Sequence, residues 1–314
     1  MIVKLYYQLD NIFLDNISHE EWNIYNEKFF IENFFNELKN ILNSKFDLYN
    51  FYIFSNQNLE FPNSFYIDSN RLKVLIYLSQ ESGEDPLNLS ANYFAIFKCY
   101  LKLKPSRDNI FNFPIGYVSG IPNLPIKPIA ERDIDVFFIG NLNKNRLNFY
   151  KSLHPIYRHF PLFVVYLFFL ISKFPFLNFL FNLRKFEISN LKSYILFTKS
   201  FKSGLKLSEY AEYIFNSKLV ICPKGFVNIE TFRHYEAMRA GSIVISEALP
   251  CNPFYDGAPY ISLNDFRSLE MDIKLLLSDC DSLLRLQQAS LAWYKNVLSE
   301  RATAFFVVRC LNSL

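Results

Sequence analysis

Ser217-Lys-Leu-Val-Ile-Cys-Pro-Lys-Gly-Phe-Val-Asn-Ile-Glu-Thr-Phe-Arg-His-Tyr-Glu-Ala-Met-Arg-Ala-Gly-Ser-Ile-Val-Ile-Ser246 reads as strand, glycine turn, helix, glycine cap and strand. Two short apolar runs on either side of a helical segment are the pattern of a parallel βαβ unit. Gly225 allows a sharp turn after the first strand, Asn228 or Thr231 can cap the helix, and Gly241 closes it. The helix N-terminus points free N–H groups and a partial positive charge into the space beyond the strand ends, where a phosphate fits. Arg233 lies on the first turns of that helix and can clamp a diphosphate with two parallel hydrogen bonds. Glu236, three residues on and on the same face, can accept from ribose hydroxyls.

The alternation extends in both directions. In the second half, strands are expected over 135–139, 194–198, 219–222, 242–246 and 260–262, a helix over 231–239, and further helices from 268 onward. In the first half, strands are expected over 2–9, 48–54 and 72–78. A helix is expected over 20–42, where Trp22, Phe29, Phe30, Phe34 and Leu38 recur at three- and four-residue steps. The stretch Gly120-Ile-Pro-Asn-Leu-Pro-Ile-Lys-Pro128 is too proline-dense for either element and marks the boundary between a domain 1–128 and a domain 129–314. Repeated βα units favour parallel sheets, so the fold class is α/β, with two Rossmann-like domains facing a cleft.

Composition agrees. A chain of 314 residues, 51% hydrophobic and only 20% charged, buries a sizeable core. With 8 Gly and 14 Pro it is neither low-complexity nor collagen-like. A net charge of +3, with no zinc-finger or RNA-binding signature, argues against a nucleic-acid partner. The five cysteines are odd in number and contain no C-x-x-C pair, so they read as reduced core residues. The four histidines form no ligand-spaced cluster, and no metal site is expected. The first ten residues lack the layout of a secretory signal, so a cytoplasmic location is expected.

The strand–turn–helix stretch resembles GT-B glycosyltransferases, nearest to the exostosin-like group and to related bacterial enzymes of surface-polysaccharide (lipopolysaccharide-type) synthesis. The residues that carry the resemblance are Cys222-Pro-Lys-Gly225, Arg233-x-x-Glu236-Ala237 and Ala240-Gly241. Upstream it includes Asp135-Val-Phe-Phe-Ile-Gly-Asn141 with Arg146, Phe201-Lys-Ser-Gly204 and Glu209-Tyr-Ala211, and downstream it runs over 260–277. The resemblance implies a nucleotide-sugar donor, no metal or other cofactor, and a lipid-linked or polysaccharide acceptor. It implies a donor site made of Asn141, Arg146, Lys199, Lys224, Gly225, Asn228, Thr231, Arg233 and Glu236, with Glu236 on the ribose and Arg233 on the diphosphate. One position departs: Asn228 stands eight residues before Glu236, where many members have a glutamate, so retaining chemistry that leans on that carboxylate does not carry over. Glycosyl transfer with inversion needs a base on the acceptor side. Loops at the C-terminal ends of first-domain strands nominate Glu81, Glu84 and Asp85, or Asp10, Asp15 and His19, and Glu81 is the expected base. The rival expectation is a catalytically inactive GT-B-like binding or scaffold subunit of a glycan assembly complex, and a third is another sugar enzyme such as a phosphorylase or epimerase.

Charge is segregated. From Asn141 to Lys206 there are eleven Lys/Arg against one acid, Glu187, a local net of +10 that leaves −7 for the rest. Inside this segment, 160–183 holds nine aromatics and one charge, interrupted by Ser172-Lys173 and Pro175. Its longest apolar run, 162–171, is ten residues, against the ~20 that a spanning helix needs. The insert 155–190 is therefore expected to be a hydrophobic helical hairpin with basic flanks that lies on an anionic membrane surface, peripheral on the inner face of the cell membrane.

Overall fold

Both halves of the chain form the α/β units that their strand–helix alternation requires, in a computed structural model that describes residues 1–5, 10–55, 61–101, 105–172, 185–199 and 204–314. The first unit comprises Met1–Gly120, Pro250–Gly257 and Lys295–Leu314, the second Ile121–Leu249 and Ala258–Tyr294.

The first unit opens with β1 (Ile2–Lys4), β2 (Ile12–Asp15), α1 (His19–Asn23), α2 (Lys28–Leu42), β3 (Tyr49–Ser55), β4 (Leu72–Leu78), β5 (Ala95–Lys98) and β6 (Ile110–Asn112). The sheet runs in sequence order from β1 to β6, antiparallel only at β1–β2. Residues 6–9 of the expected first strand lie outside the described residues. The helix expected over 20–42 is two helices. Ser18 and Glu21 form a reciprocal cap that starts α1, and the chain leaves the helix at Asn23. Ser119 then ties the break, its N–H donating to the Asn26 carbonyl and its Oγ accepting from the Phe29 N–H. Trp22 of α1 and Phe30, Phe34 and Leu38 of α2 are buried as the periodicity indicated, together with Phe35, whereas Phe29 is exposed.

The second unit contains β7 (Ile134–Asn141), α3 (Leu147–Leu153), α4 (Leu162–Ile171), β8 (Lys185–Phe186), β9 (Ser193–Thr198) and α5 (Leu207–Phe215). After these come β10 (Ser217–Cys222), α6 (Phe232–Arg239), β11 (Ile243–Ser246), β12 (Tyr260–Ser262), α7 (Leu269–Leu277) and α8 (Cys280–Trp293). Its sheet order is β12-β11-β10-β7-β9-β8, parallel except for β8. Near-continuous apolar strands suit a sheet covered on both faces, and Phe138, Phe149 and Phe197 pack with ring centroids 5.0–5.2 Å apart beneath α3. The chain leaves β7 toward β9 on one side and returns through α5 to β10 on the other, which makes the β7–β10 gap the point where the winding reverses.

The last helix, α9 (Glu300–Asn312), packs against α2. Arg301 lies 3.8 Å from Glu37, and the Tyr117 hydroxyl donates to Glu300 at 2.6 Å. A division at 128/129 assigns this helix to the second domain; its apolar face, covering α2, puts it in the first unit. The core reading of the cysteines holds for Cys99, Cys222 and Cys310, whereas Cys251 and Cys280 are exposed. Of the expected hairpin, α4 is the described part, and 173–184 lies outside the described residues. No described helix is long and apolar enough to cross a membrane.

Candidate functional site

Parallel pairing brings the C-terminal ends of β7, β10 and β11 to one edge, so Asn141, Cys222 and Ser246 finish side by side. Ligands of open α/β sheets bind beyond such ends where the strand order reverses, which here is the β7–β10 gap. Two loops meet there, 142–146 after β7 and 223–231 after β10.

The first loop is shaped by Asn143, whose Oδ1 accepts from the N–H groups of Asn145 (2.9 Å) and Arg146 (3.2 Å). This turn throws two side chains across to the second loop. Asn145 Nδ2 donates to the carbonyls of Gly225 and Phe226, both at 2.8 Å. Arg146 Nε donates to the Lys224 carbonyl at 3.0 Å, and its Nη1 donates to both oxygens of Asn141, backbone at 2.8 Å and side chain at 3.0 Å. Arg146 is only 5% exposed. Burial, and then the charge of Arg233, pull its guanidinium down to about 9.

The second loop closes on itself through the Gly225 N–H donating to the Asn228 carbonyl at 2.8 Å. A Cβ on Gly225 would meet that oxygen at 3.1 Å, so close approach is what calls for glycine here. Lys224 gives its backbone N–H to Glu247 Oε2 at 2.7 Å. The carboxylate this loop does carry is Glu230, which is buried two residues beyond Asn228.

Thr231 is the N-cap of α6, settling the two caps left open by the sequence. Its N–H donates to His234 Nδ1 at 3.2 Å, which leaves the ring proton on Nε2, 2.9 Å from Ser246 Oγ, and Ser246 donates on to the Cys222 carbonyl at 3.0 Å. A buried imidazole thus ties the helix start to the ends of both neighbouring strands, and burial holds it neutral by lowering its pKa to about 3. Gly241 ends α6 at φ +66°, with the Ser242 N–H reaching the Ala237 carbonyl and the Gly241 N–H that of Met238, a Schellman closure.

Arg233 reaches back from α6 over the Phe138 ring, its Cζ 4.9 Å from the centroid, and its Nη2 donates to the Ile139 carbonyl. Arg146 lies against the same ring at 5.7 Å. Neither guanidinium forms an ion pair among the described residues, and the buried Nε of Arg233 has no hydrogen-bond partner there. Gly140 makes room, since a Cβ would stand 2.9 Å from Arg146 Nη1 and 3.2 Å from Arg233 Nη2. Glu236 is 4% exposed and accepts from the Tyr210 hydroxyl of α5 at 2.6 Å. Burial and the Glu236 charge hold that hydroxyl well above its ordinary pKa. Two adjacent cations that form no ion pair among the described residues, at a helix N-terminus, make a candidate anion site, with the Glu247 carboxylate near enough to be felt by Arg146.

The structure therefore gathers Asn141, Arg146, Lys224, Gly225, Asn228, Thr231, Arg233 and Glu236 around one edge. Lys199 follows β9, one strand over from β7, and is exposed; 201–203 of the quoted Phe201-Lys-Ser-Gly204 lie outside the described residues. Glu81 belongs to the first unit, after β4, half-buried and with its carboxyl raised by burial. Two of the other nominees have structural roles: Asp15 accepts from the Asn63 and Ser64 N–H groups, and Asp85 from the Ser106 N–H and hydroxyl. Asn143, Asn145 and Glu247 lie outside the stretches quoted from the sequence, while Gly140, Tyr210 and His234 lie inside them without an assigned role. An Asn three positions before Arg146 is the one local signal, an N-cap pattern. An open cavity of about 930 Å³ lies at the opposite edge of the sheet, lined by Arg132, Asp135 and Lys218 among others. Arg132 is already bonded to three carbonyls and Ser242, and Asp135 to Lys218 and the Lys192 N–H.

No family model and no curated protein sequence matches the chain. Among solved structures, it is similar to Anabaena HepE in complex with UDP and glucose, at 12% identity over 78% of this chain and 72% of that one, with a TM-score of 0.45. It is similar to TarM at 11% identity over 88% and 57% of the two chains, TM-score 0.49. A glycosyltransferase from Rickettsia africae ESF-5 aligns at 13% identity over 89% and 81%, TM-score 0.47. The likeness is distant in every case.

Proposed function

We propose that the protein is a GT-B glycosyltransferase that moves a sugar from a nucleotide-sugar donor to a glycan or lipid-linked acceptor in cell-surface glycan synthesis. The observation that carries this reading is the pair Arg146 and Arg233, stacked on Phe138 beside the N-terminus of α6, with no ion pair among the described residues and one buried donor unanswered. A nucleoside diphosphate matches it in charge and in acceptor geometry. Arg233, the outer cation, holds the diphosphate. Arg146 stays beneath, bracing the two loops while adding its charge. Glu236, held by Tyr210, takes the ribose hydroxyls. Bond cleavage places a developing negative charge on the leaving diphosphate, and fixed cations with helix N–H groups stabilise it without a metal. Acceptor activation is assigned to a first-unit carboxylate, Glu81 being the sequence candidate.

The reading includes a seat on the cytoplasmic face of an anionic membrane. On α4 only Val165 is fully buried, while Phe163 (73% exposed), Tyr166, Leu167 and Leu170 form an outward stripe at i, i+3, i+4 and i+7. Arg158 and His159 precede it, and Lys185 follows 173–184.

Calorimetry with UDP, GDP and ADP tests the donor site. Arg233→Ala and Glu236→Ala each weaken the nucleotide that binds by roughly 1.5–3 kcal/mol, the cost of a charge-assisted contact. Equal affinity in the parent and both variants refutes the site.

A further inference from the structure

The loop 223–231 carries an apolar tip that the anion site does not use. Phe226 is 49% exposed and Val227 47%, although the backbone that carries them is fastened on its inner side. Asn143 orders the turn that presents Asn145, and Asn145 Nδ2 donates to the Gly225 and Phe226 carbonyls at 2.8 Å. Arg146 holds the Lys224 carbonyl at 3.0 Å, and the Gly225 N–H closes the turn on the Asn228 carbonyl at 2.8 Å. The carbonyls of Lys224, Gly225 and Phe226 are thus all tied to the loop after β7, which keeps the tip beside the β7–β10 gap. Neighbouring apolar side chains exposed on a fixed turn at the rim of a polar site are the surface that ligand grooves present.

The tip is close to the cations. The chain from Asn228 to Thr231, the cap of α6, spans at most about 10 Å when fully extended, and Arg233 follows on the first turn of that helix. A group attached to a phosphate held there falls within reach of the tip, and in a nucleotide sugar that group is the sugar. Phe226, Val227 and Asn228 carry no charge, and the carboxylate of the loop, Glu230, is buried. A hydroxyl laid against a phenyl or isopropyl group loses its water without gaining a partner, whereas a methyl group gains contact there.

We infer that Phe226 and Val227 select the donor sugar, favouring one that bears a methyl group over one that presents hydroxyls alone, an inference that rests on the nucleotide-sugar reading of the site. Two kinds of sugar supply that methyl: a 6-deoxyhexose through its C6 and an N-acetylhexosamine through its acetyl group. The phenyl ring of Phe226 takes the methyl-bearing side of the sugar, and Val227 extends the apolar surface beside it. The diphosphate stays with Arg233 and the start of α6, so sugar choice and nucleotide binding belong to different side chains of one unit.

The test uses the full chain and calorimetry. UDP, GDP and ADP are titrated first, followed by the glucose, 6-deoxyglucose and N-acetylglucosamine derivatives of whichever nucleotide binds. The parent is expected to bind at least one of the two methyl-bearing derivatives on the order of tenfold more tightly than the glucose derivative, the discrimination that a single methyl-sized difference gives in an apolar site. Which of the two gains tells the C6 methyl from the acetyl methyl. Phe226→Ser and Val227→Ser are expected to keep parent affinity for the bare nucleotide and to lose most of that preference. Both side chains are exposed, so serine leaves the core intact, and thermal unfolding checks it. The inference is overturned if the parent binds the three derivatives equally or prefers glucose, if the preference survives in both serine variants, or if bare-nucleotide affinity falls along with it. A parent that binds none of the three nucleotides refutes the donor site itself, and this inference falls with it.

Discussion

Arg146 and Arg233 show how identity and environment divide the work at a single position. Both lie near Phe138, yet three hydrogen bonds make Arg146 a brace, while Arg233 keeps a buried donor without a partner among the described residues. Spacing placed Arg233 at the site and the family resemblance implied Arg146, but neither could separate these roles, because the difference lies in carbonyls of Asn141 and Lys224 that only folding brings near. Gly140 is the residue on which the pair depends. Gly140→Ala puts a methyl 2.9 Å from Arg146 Nη1 and 3.2 Å from Arg233 Nη2. The guanidiniums have to swing away from Asn141 and Ile139. Stability is expected to fall by about 1–3 kcal/mol, as for an overpacked site, with nucleotide affinity falling further than in a control substitution remote from the edge. Paired thermal-unfolding and calorimetric titrations check this; parent affinity in Gly140→Ala shows that the packing is unimportant.

At the scale of elements, α6 is short and depends on its two ends. The glycine closure was legible as Ala240-Gly241, and a left-handed residue there is nearly glycine's alone. The start was legible only in part: Thr231 is one of the two caps the sequence offers, but the acceptor that takes its N–H is the His234 imidazole, which carries no usual capping signature. His234 titrates near 3 when folded against its ordinary 6.5. A depressed value means that the unfolded chain binds the proton first. Its contribution is therefore fully present above about 6.5 and is lost as pH falls toward 3. Denaturant unfolding at stepped pH should show stability declining through that window. His234→Gln, which has no titrating ring, should flatten the slope while lowering stability at neutral pH by roughly 1 kcal/mol or more through lost hydrogen bonds. An identical acid slope in the variant assigns the loss to other groups.

At the scale of the whole molecule, the outward stripe of α4 lies in the second unit, inside the stretch 141–206 whose sequence carries a net +10. Each Lys or Arg near an anionic bilayer adds about 1 kcal/mol, weakened by salt, and aromatic burial supplies depth. The chain is expected to float with anionic liposomes, much less with neutral ones, and to be released in part by high salt. Phe163→Glu with Leu167→Glu should abolish flotation while leaving nucleotide affinity unchanged. Flotation retained by that double variant moves the contact off α4.

Local pattern was enough for the strands that carry the site. β4 and β12 match their expected spans, and the β10–α6–β11 unit matches to within two residues at each end, because apolar runs bounded by glycine and proline constrain a chain within a few residues. The short strands β2 and β6 and the break before α2 depend on partners far along the chain, such as Phe51 for Ile12 and Ser119 for Asn26, and no local rule contains them. The return of α9 to α2 is of the same kind, for an amphipathic helix states that it needs a cover and not which one. Glu27 is the sharpest case. Its place between α1 and α2 reads as an ordinary polar residue, and its near-neutral titration arises from burial beside a turn that begins at Ser79. Residue types and spacing named the phosphate-side chemistry because helix N-termini and arginines carry it locally. The raised carboxyl of Glu27 comes from desolvation, which is a property of the packed interior alone.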